Sequence, residues 1–237
     1  MKAMNTAALV IALGSVLACP TASAAYIWTE NAAGELISSA EVVTGAALHA
    51  LDGIRGTLAT SLLLGAPGPR NEVDVYKIFI DNAPGFSART VSSNPFDDTA
   101  LFLFSGSGNG VFMNDDNGFD LLSALPDVDG VGGIGFYYLA VAIGGFAALD
   151  AAANSVFLAG VAGVFTDVLD VDPASGALAA WSERFTTLAD PGLAYDIVLT
   201  GARVAQIPEP TSLALLGLAG FAAWRARRPS APLQALA

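Results

Sequence analysis

Short runs rich in β-branched and aromatic residues recur along this chain, each closed by a cluster of Gly, Asn, Asp or Pro. That punctuation is the strongest constraint on the fold. Val73–Asp81 (VDVYKIFID) places Val73, Val75, Ile78 and Ile80 around Tyr76 and Phe79, between Pro69 and Pro84, and reads as a strand. Thr99–Phe104 (TALFLF) is a short apolar run closed by Ser105–Gly110 (SGSGNG). Val111–Met113 follows, before the acidic turn Asn114–Gly118 (NDDNG). Ile134–Ile143 (IGFYYLAVAI) has the length and aromatic content of a central strand, and Tyr195–Thr200 (YDIVLT) alternates again. Ile54–Leu64 opens the sheet, although its Leu and Ala content also suits a helix. Short strands joined by such turns predict an all-β domain, an antiparallel β-sandwich or jelly roll. Between the last two strands, Ala147–Ala153 has the composition of a helix start and Asp167–Gly176 that of an inserted loop.

Composition narrows the function. Of 237 residues 54% are apolar and only 14% charged, yet the net charge is −12. The apolar content excludes a disordered acidic chain. The charge excludes a nucleic-acid binder, because no basic surface is available to neutralise phosphates. The charge is also uneven: residues 25–206 carry 21 acids against six bases, while the two ends are weakly positive.

The N-terminal end reads as an address. Lys2 precedes the apolar run Ala7–Ala18, and Ala22-Ser23-Ala24 comes just before Ala25 and Tyr26. This is the pattern of a secretory signal peptide over residues 1–24, cut between Ala24 and Ala25. Val16-Leu17-Ala18-Cys19 also reads as a lipobox that would acylate Cys19, but Ala-Ser-Ala fits cleavage better. Cleavage there removes the single cysteine and leaves a mature protein without thiol chemistry or disulfides.

The C-terminal end, residues 207–237, is more specific. Pro208-Glu209-Pro210 leads into an apolar stretch over 212–224, and then into Arg225-Ala226-Arg227-Arg228. The prolines break any regular element. The uncharged stretch is shorter than the ~20 residues that span a bilayer comfortably. Arg225, Arg227 and Arg228 would stay on the cytoplasmic side and stop translocation. These residues resemble the PEP-CTERM sorting signal, with a further nine residues after the arginines. The resemblance implies a transient transmembrane anchor, the secretion machinery and an exosortase-type processing enzyme as partners. It further implies delivery to the surface or extracellular polysaccharide matrix of a bacterium with an outer membrane.

A second resemblance covers about Ser39–Ile143, with its final strand at Tyr195–Thr200. Ser39–Val43, Gly53–Leu58, Asp74–Ile78, Asp97–Phe104, Asn114–Gly118 and Gly135–Val141 follow one another as in the bacterial pre-peptidase C-terminal domain. That family is a non-catalytic β-sandwich, usually appended to secreted proteases. No protease domain accompanies it here, and Gly145–Ser182 has no counterpart.

Little material for catalysis is present. His49 is the only histidine and lies in the Ala/Leu-rich GAALHALDG, without a nucleophile elbow in the chain. HExxH and CxxC patterns are missing from residues 25–206. Of the acidic pairs Asp97/Asp98, Asp115/Asp116 and Asp127/Asp129, the adjacent doublets would point to opposite faces of a strand, and a sandwich without an evident cleft is a poor glycosidase scaffold. Calcium suits these oxygens better: Asp98, Asn114, Asp115 and Asp116 become neighbours if Thr99–Phe104 and Val111–Met113 pair as a hairpin. EF-hand spacing is lacking, and Asn-Asp-Asp-Asn-Gly also reads as a solvated turn. Trp28 and Trp181 are candidates for stacking on sugars, or for packing. The expectation is a non-enzymatic exported protein with an adhesion or matrix role. The alternatives are an ancillary module for a separately encoded protease and a small surface hydrolase.

Overall fold

The structure, a computed structural model, describes residues 24–45, 49–58, 72–94, 96–118, 120–125, 132–158, 168–182 and 193–205. Within them the strands run β1 (Ile27–Thr29), β2 (Glu41–Val42), β3 (Gly53–Leu58), β4 (Val73–Ile80), β5 (Ser87–Val91), β6 (Thr99–Ser105) and β7 (Gly110–Asn114). They continue with β8 (Ala124–Leu125), β9 (Gly135–Ile143), β10 (Ala148–Leu149), β11 (Leu169–Asp170), β12 (Ala180–Trp181), β13 (Leu193–Thr200) and β14 (Ala202–Val204). Helical geometry is confined, among the described residues, to single 3-10 turns at Ile37–Ser39 and Ala83–Gly85. The described part of the chain is all-β, as the punctuation predicts.

One sheet has the order β1-β3-β13-β5-β8, and a second has the order β11-β7-β6-β9-β4-β14 with β2 also on β4. Their buried residues form one core. The pairing departs from a purely antiparallel pattern at two places, since β1 runs parallel to β3 and β2 parallel to β4. The chain after β1 crosses to the second sheet, bridging Gly34 to Val75 and laying β2 on β4, before it returns as β3. Such a crossover delivers a strand in the same direction as the one it left.

Strand β6 shows why the second sheet forms. All six residues of Thr99–Phe104 are buried, which is why the run lacks polar alternation. Leu103 lies in register with Leu139 and, beyond it, Tyr76, whose hydroxyl meets Tyr195 of the first sheet. Phe102 and Phe104 point to the opposite face, where the Trp181 ring sits 4.9 and 6.1 Å from their centroids and Phe157 sits 5.9 and 5.7 Å away. Those two rings come from described residues after Gly145, where β10 and β12 pair as a separate two-stranded ribbon.

The expected helix start at Ala147–Ala153 is therefore a strand and a turn. Ala148 and Leu149 pair with Trp181 and Ala180. Asp150 then reverses the chain, its Oδ1 accepting the Ala152 and Asn154 amides at 2.9 Å each. Backbone donors from Asn154 first, then Gly176, hold its carboxyl below the usual carboxylate range. Tertiary pairing has overridden the helix propensity of alanine. The expected loop at Asp167–Gly176 likewise contains β11, which pairs with β7.

A buried polar chain joins the two sheets. Tyr195 of β13 donates to Asp74 Oδ2 at 2.6 Å and shares a hydrogen bond with the Tyr76 hydroxyl of β4. Burial pushes both phenols well above the ordinary tyrosine value, aided by neighbouring charge on Asp74. Both stay protonated in the fold, so their contribution is complete below about pH 10 and is lost as pH climbs beyond it. Replacing Tyr195→Phe should cost about 1–3 kcal/mol in chemical denaturation, and an unchanged midpoint would show that the hydroxyl carries no net stability.

Between β13 and β14 the chain passes from one sheet to the other at Gly201, which has φ +67°. A side chain there would lie 2.8 Å from the Asn82 carbonyl and 2.9 Å from that of Gly85. The Asp81 and Asn82 amides also donate to the Gly201 carbonyl, at 3.1 and 3.3 Å. Gly201→Val is expected to lose at least about 2 kcal/mol of stability, through a strained φ and a backbone clash, measured as a lower denaturation midpoint.

Candidate functional site

The strongest candidate lies where the hairpin of β6 and β7 ends. The two strands pair antiparallel with Leu101 opposite Asn114, so Asp98 before β6 and Asp115–Asp116 after β7 come to one end of the sheet. Asn114 is 1% exposed and is committed to backbone at both ends of its amide. Nδ2 donates to the Asp116 carbonyl at 2.9 Å, and Oδ1 accepts the Ala124 amide at 2.7 Å. Its first job is to tie the turn to β8. Asp115 Oδ1 accepts the Gly145 amide at 3.2 Å, and the Asp98 carbonyl accepts that of Gly144 at 3.1 Å. A Cβ at Gly144 would collide with the Asp98 carboxylate, so glycine lets the acid approach the backbone.

Burial raises the Asp116 carboxyl above its ordinary value, and the nearby charges of Asp98 and Asp120 add to the shift. Asp120 itself accepts Asn117 Nδ2 at 2.7 Å and the Leu122 amide at 3.0 Å. Asp97 is bound by Ser92 and by Asn94 Nδ2, the latter at 2.6 Å. Beside this turn a groove of about 530 Å³ runs between β5, β8 and the approach to β11, lined by Arg89, Ser92, Asn117, Asp120 and Val168 among others.

As a calcium centre the set is partly assembled. Asp98, Asn114, Asp115 and Asp116 are brought to one place, but Asn114 Oδ1 and Asp115 Oδ1 already accept backbone amides. Among the described residues no group of three or more His, Cys, Asp and Glu is arranged to hold a metal. A cation here would have to draw on turn carbonyls for its remaining ligands.

His49 lies elsewhere, exposed, with its ring edge-on to Tyr26 at 6.0 Å. Among the described residues no hydrogen bond joins its imidazole to a hydroxyl or carboxylate, so a base with an orienting partner is not assembled there. The Trp181 indole donates to the Glu35 carbonyl at 2.6 Å while its ring covers Phe102 and Phe104, and Trp28 also packs against the core. Both tryptophans are half-buried. Asp127, Asp129, Cys19, Ala22, Pro208, Glu209, Pro210, Arg225, Arg227 and Arg228 lie outside the described residues, whereas Ala24 and Ala25 lie at the exposed start of the domain.

Three features were not foreseen. The Asp74–Tyr195–Tyr76 chain is one. A buried cluster of Thr90, Thr99 and Ser123 hydroxyls, 2.7–3.3 Å apart, is the second. The third is an uncovered part of the second sheet, where Phe79 and Phe136 meet edge to face at 5.2 Å and Lys77 Nζ lies 4.9 Å from the Phe136 centroid. Alternation of Lys77 and Phe79 with buried Tyr76, Ile78 and Ile80 was the sequence signal for that face.

Comparison with known proteins bears on the tail. Residues 206–228 match the PEP-CTERM protein-sorting motif. That motif marks an exported protein, transiently anchored in the membrane and handed to an exosortase-type enzyme. No curated protein and no solved structure matched the chain. Among the described residues no helix is long and apolar enough to cross a membrane.

Charge crowding at the hairpin can be measured. The raised Asp116 value means that folding resists its ionisation, so stability is greatest below the ordinary aspartate pKa and falls as pH rises. Asp116→Asn should remove that fall and raise Tm at neutral pH by up to about 4 °C, with little change in acid. A calcium-dependent rise in Tm seen in the parent and lost in Asp116→Asn would place the ion at this turn. Identical melting of both proteins across the pH range would show that the crowding has no energetic weight.

Proposed function

We propose that this is a non-enzymatic exported protein, with an adhesion or matrix-building role once its tail has been processed at the cell surface or in an extracellular polysaccharide matrix. The match of residues 206–228 to the sorting motif carries the reading. The acidity of residues 25–206 supports it, because a charged domain stays soluble after it leaves the membrane. So does the surroundings of His49, whose neighbour is an aromatic ring rather than a nucleophile. Residues 1–24 act as the signal peptide, and the central domain is a relative of the pre-peptidase C-terminal sandwich that works apart from any protease.

The test is mass analysis and fractionation of the full chain in an exosortase-bearing bacterium. The parent protein should appear outside the cell without Arg225–Arg228, whereas Pro208→Ala or Glu209→Ala should leave the tail intact and the protein in the membrane fraction. A mature parent protein that keeps those arginines in the membrane would refute the sorting reading.

A further inference from the structure

Both ends of the described chain leave the domain along one edge. At the N-terminal end, the Tyr26 amide donates to Asp52 Oδ2 at 2.7 Å and its hydroxyl to the Thr44 carbonyl at 2.7 Å. The Asp52 amide returns a bond to the Tyr26 carbonyl at 2.9 Å. At the C-terminal end, the Val204 amide donates to the His49 carbonyl at 3.4 Å and that of Ala205 to the Val43 carbonyl at 2.8 Å. The two ends meet at one residue: a Cβ on Gly45 would lie 3.0 Å from the Tyr26 hydroxyl and 3.1 Å from Val204 Cγ1.

The topology makes this edge distinct. β1 is the outer strand of the first sheet, and β14 with β2 forms the outer margin of the second on the same side. The outer strands on the far side are β8 and β11. The far side also holds the Asn114 turn and the groove lined by Arg89, Asn117 and Asp120.

The connecting chain is short. Seven peptide steps separate Ala205 from Ser212, where the apolar stretch begins, a reach of at most about 25 Å. Eight separate Ala18, at the end of the N-terminal apolar run, from Tyr26, a reach of at most about 29 Å. A folded domain can therefore be held by either membrane segment, or by both, without turning over.

We infer that the edge bearing Tyr26, Thr44, Gly45, His49 and Ala50 faces the lipid headgroups in the anchored precursor, and that the edge bearing Asn114–Asp116 and Asp120 points away from them. This rests on reading the two ends as membrane-inserting segments. It assigns the two edges different surroundings. The acidic turn and its groove are open to partners before the tail is cut, while the exit edge becomes accessible only on release.

The experiment uses the full chain carrying Cys19→Ser, so that one introduced thiol holds a fluorescent probe. Thr44→Cys marks the exit edge and Asp120→Cys the far edge, with Ala50→Cys and Leu121→Cys as an independent pair if either fails to fold. All four positions are exposed. Each protein is reconstituted into phosphatidylcholine–phosphatidylglycerol vesicles containing a headgroup-quencher lipid, and vesicle flotation is scored alongside. The exit-edge probes should be quenched several-fold more strongly than the far-edge probes. Floating protein with equal quenching, or with stronger quenching at the far edge, overturns the inference and leaves the anchor reading standing. Protein that fails to float overturns both.

Discussion

At β6 the second sheet is covered on both faces, and the rest of the architecture follows from that. A strand such as β6, with Leu on one side and Phe on the other, stays in water on neither face. One face is closed by the first sheet. The other needs a cover, and the chain spends the segment after Gly145 on it, placing Trp181 and Phe157 over Phe102 and Phe104. The cover is partial. Where it stops, Phe79, Phe136 and Tyr138 remain at the surface with Lys77 above the rings. That margin is one place where the fold presents aromatic area to its surroundings, whereas the tryptophans pack on the core.

Polar groups inside this structure set registration. The Asp74–Tyr195–Tyr76 chain fixes β13 over β4, and the Thr90–Thr99–Ser123 hydroxyls fix β5 and β8 over the start of β6. Apolar contacts between two sheets tolerate sliding; hydrogen bonds between particular side chains do not, since slippage leaves buried donors without acceptors. Asn114 does the same at the hairpin end. It is a candidate ligand by composition and a turn clamp by geometry, which is why the acidic turn holds its shape despite the charge on Asp98, Asp116 and Asp120.

The strands with strong periodicity or long apolar runs were legible in the sequence: β4, β6, β7, β9 and β13 fall where alternation and turn residues place them. The two-residue strands β2, β8, β10, β11 and β12 were not, because a period cannot be expressed in two residues. β5 was missed for a different reason. Its buried side chains are Ala88 and Thr90, small and polar, so burial leaves no hydrophobic trace. Ala148 and Leu149 carried a helical signal, and only their partners Ala180 and Trp181, some thirty residues on, make them a strand. For the candidate site, the neighbourhood of Asp98 with Asn114–Asp116 followed from a predicted hairpin. The backbone commitments of Asn114 and Asp115 did not, since they depend on Ala124 and Gly145 arriving from elsewhere.

The last strand has a mechanical consequence. β14 holds to β4 by three residue pairs and to His49–Leu51 on its other side, and Gly201 behind it is a one-residue link to the eight-residue β13 in the other sheet. Any pull transmitted along the tail reaches β14 before any other described strand. Peeling it would break that short ladder together with the Arg203–Asp81 ion pair and the bonds to His49 and Leu51, while β13 stays clamped between β3 and β5. The rim strand is thus the first described element that a load on the tail would test, and the core lies one strand behind it.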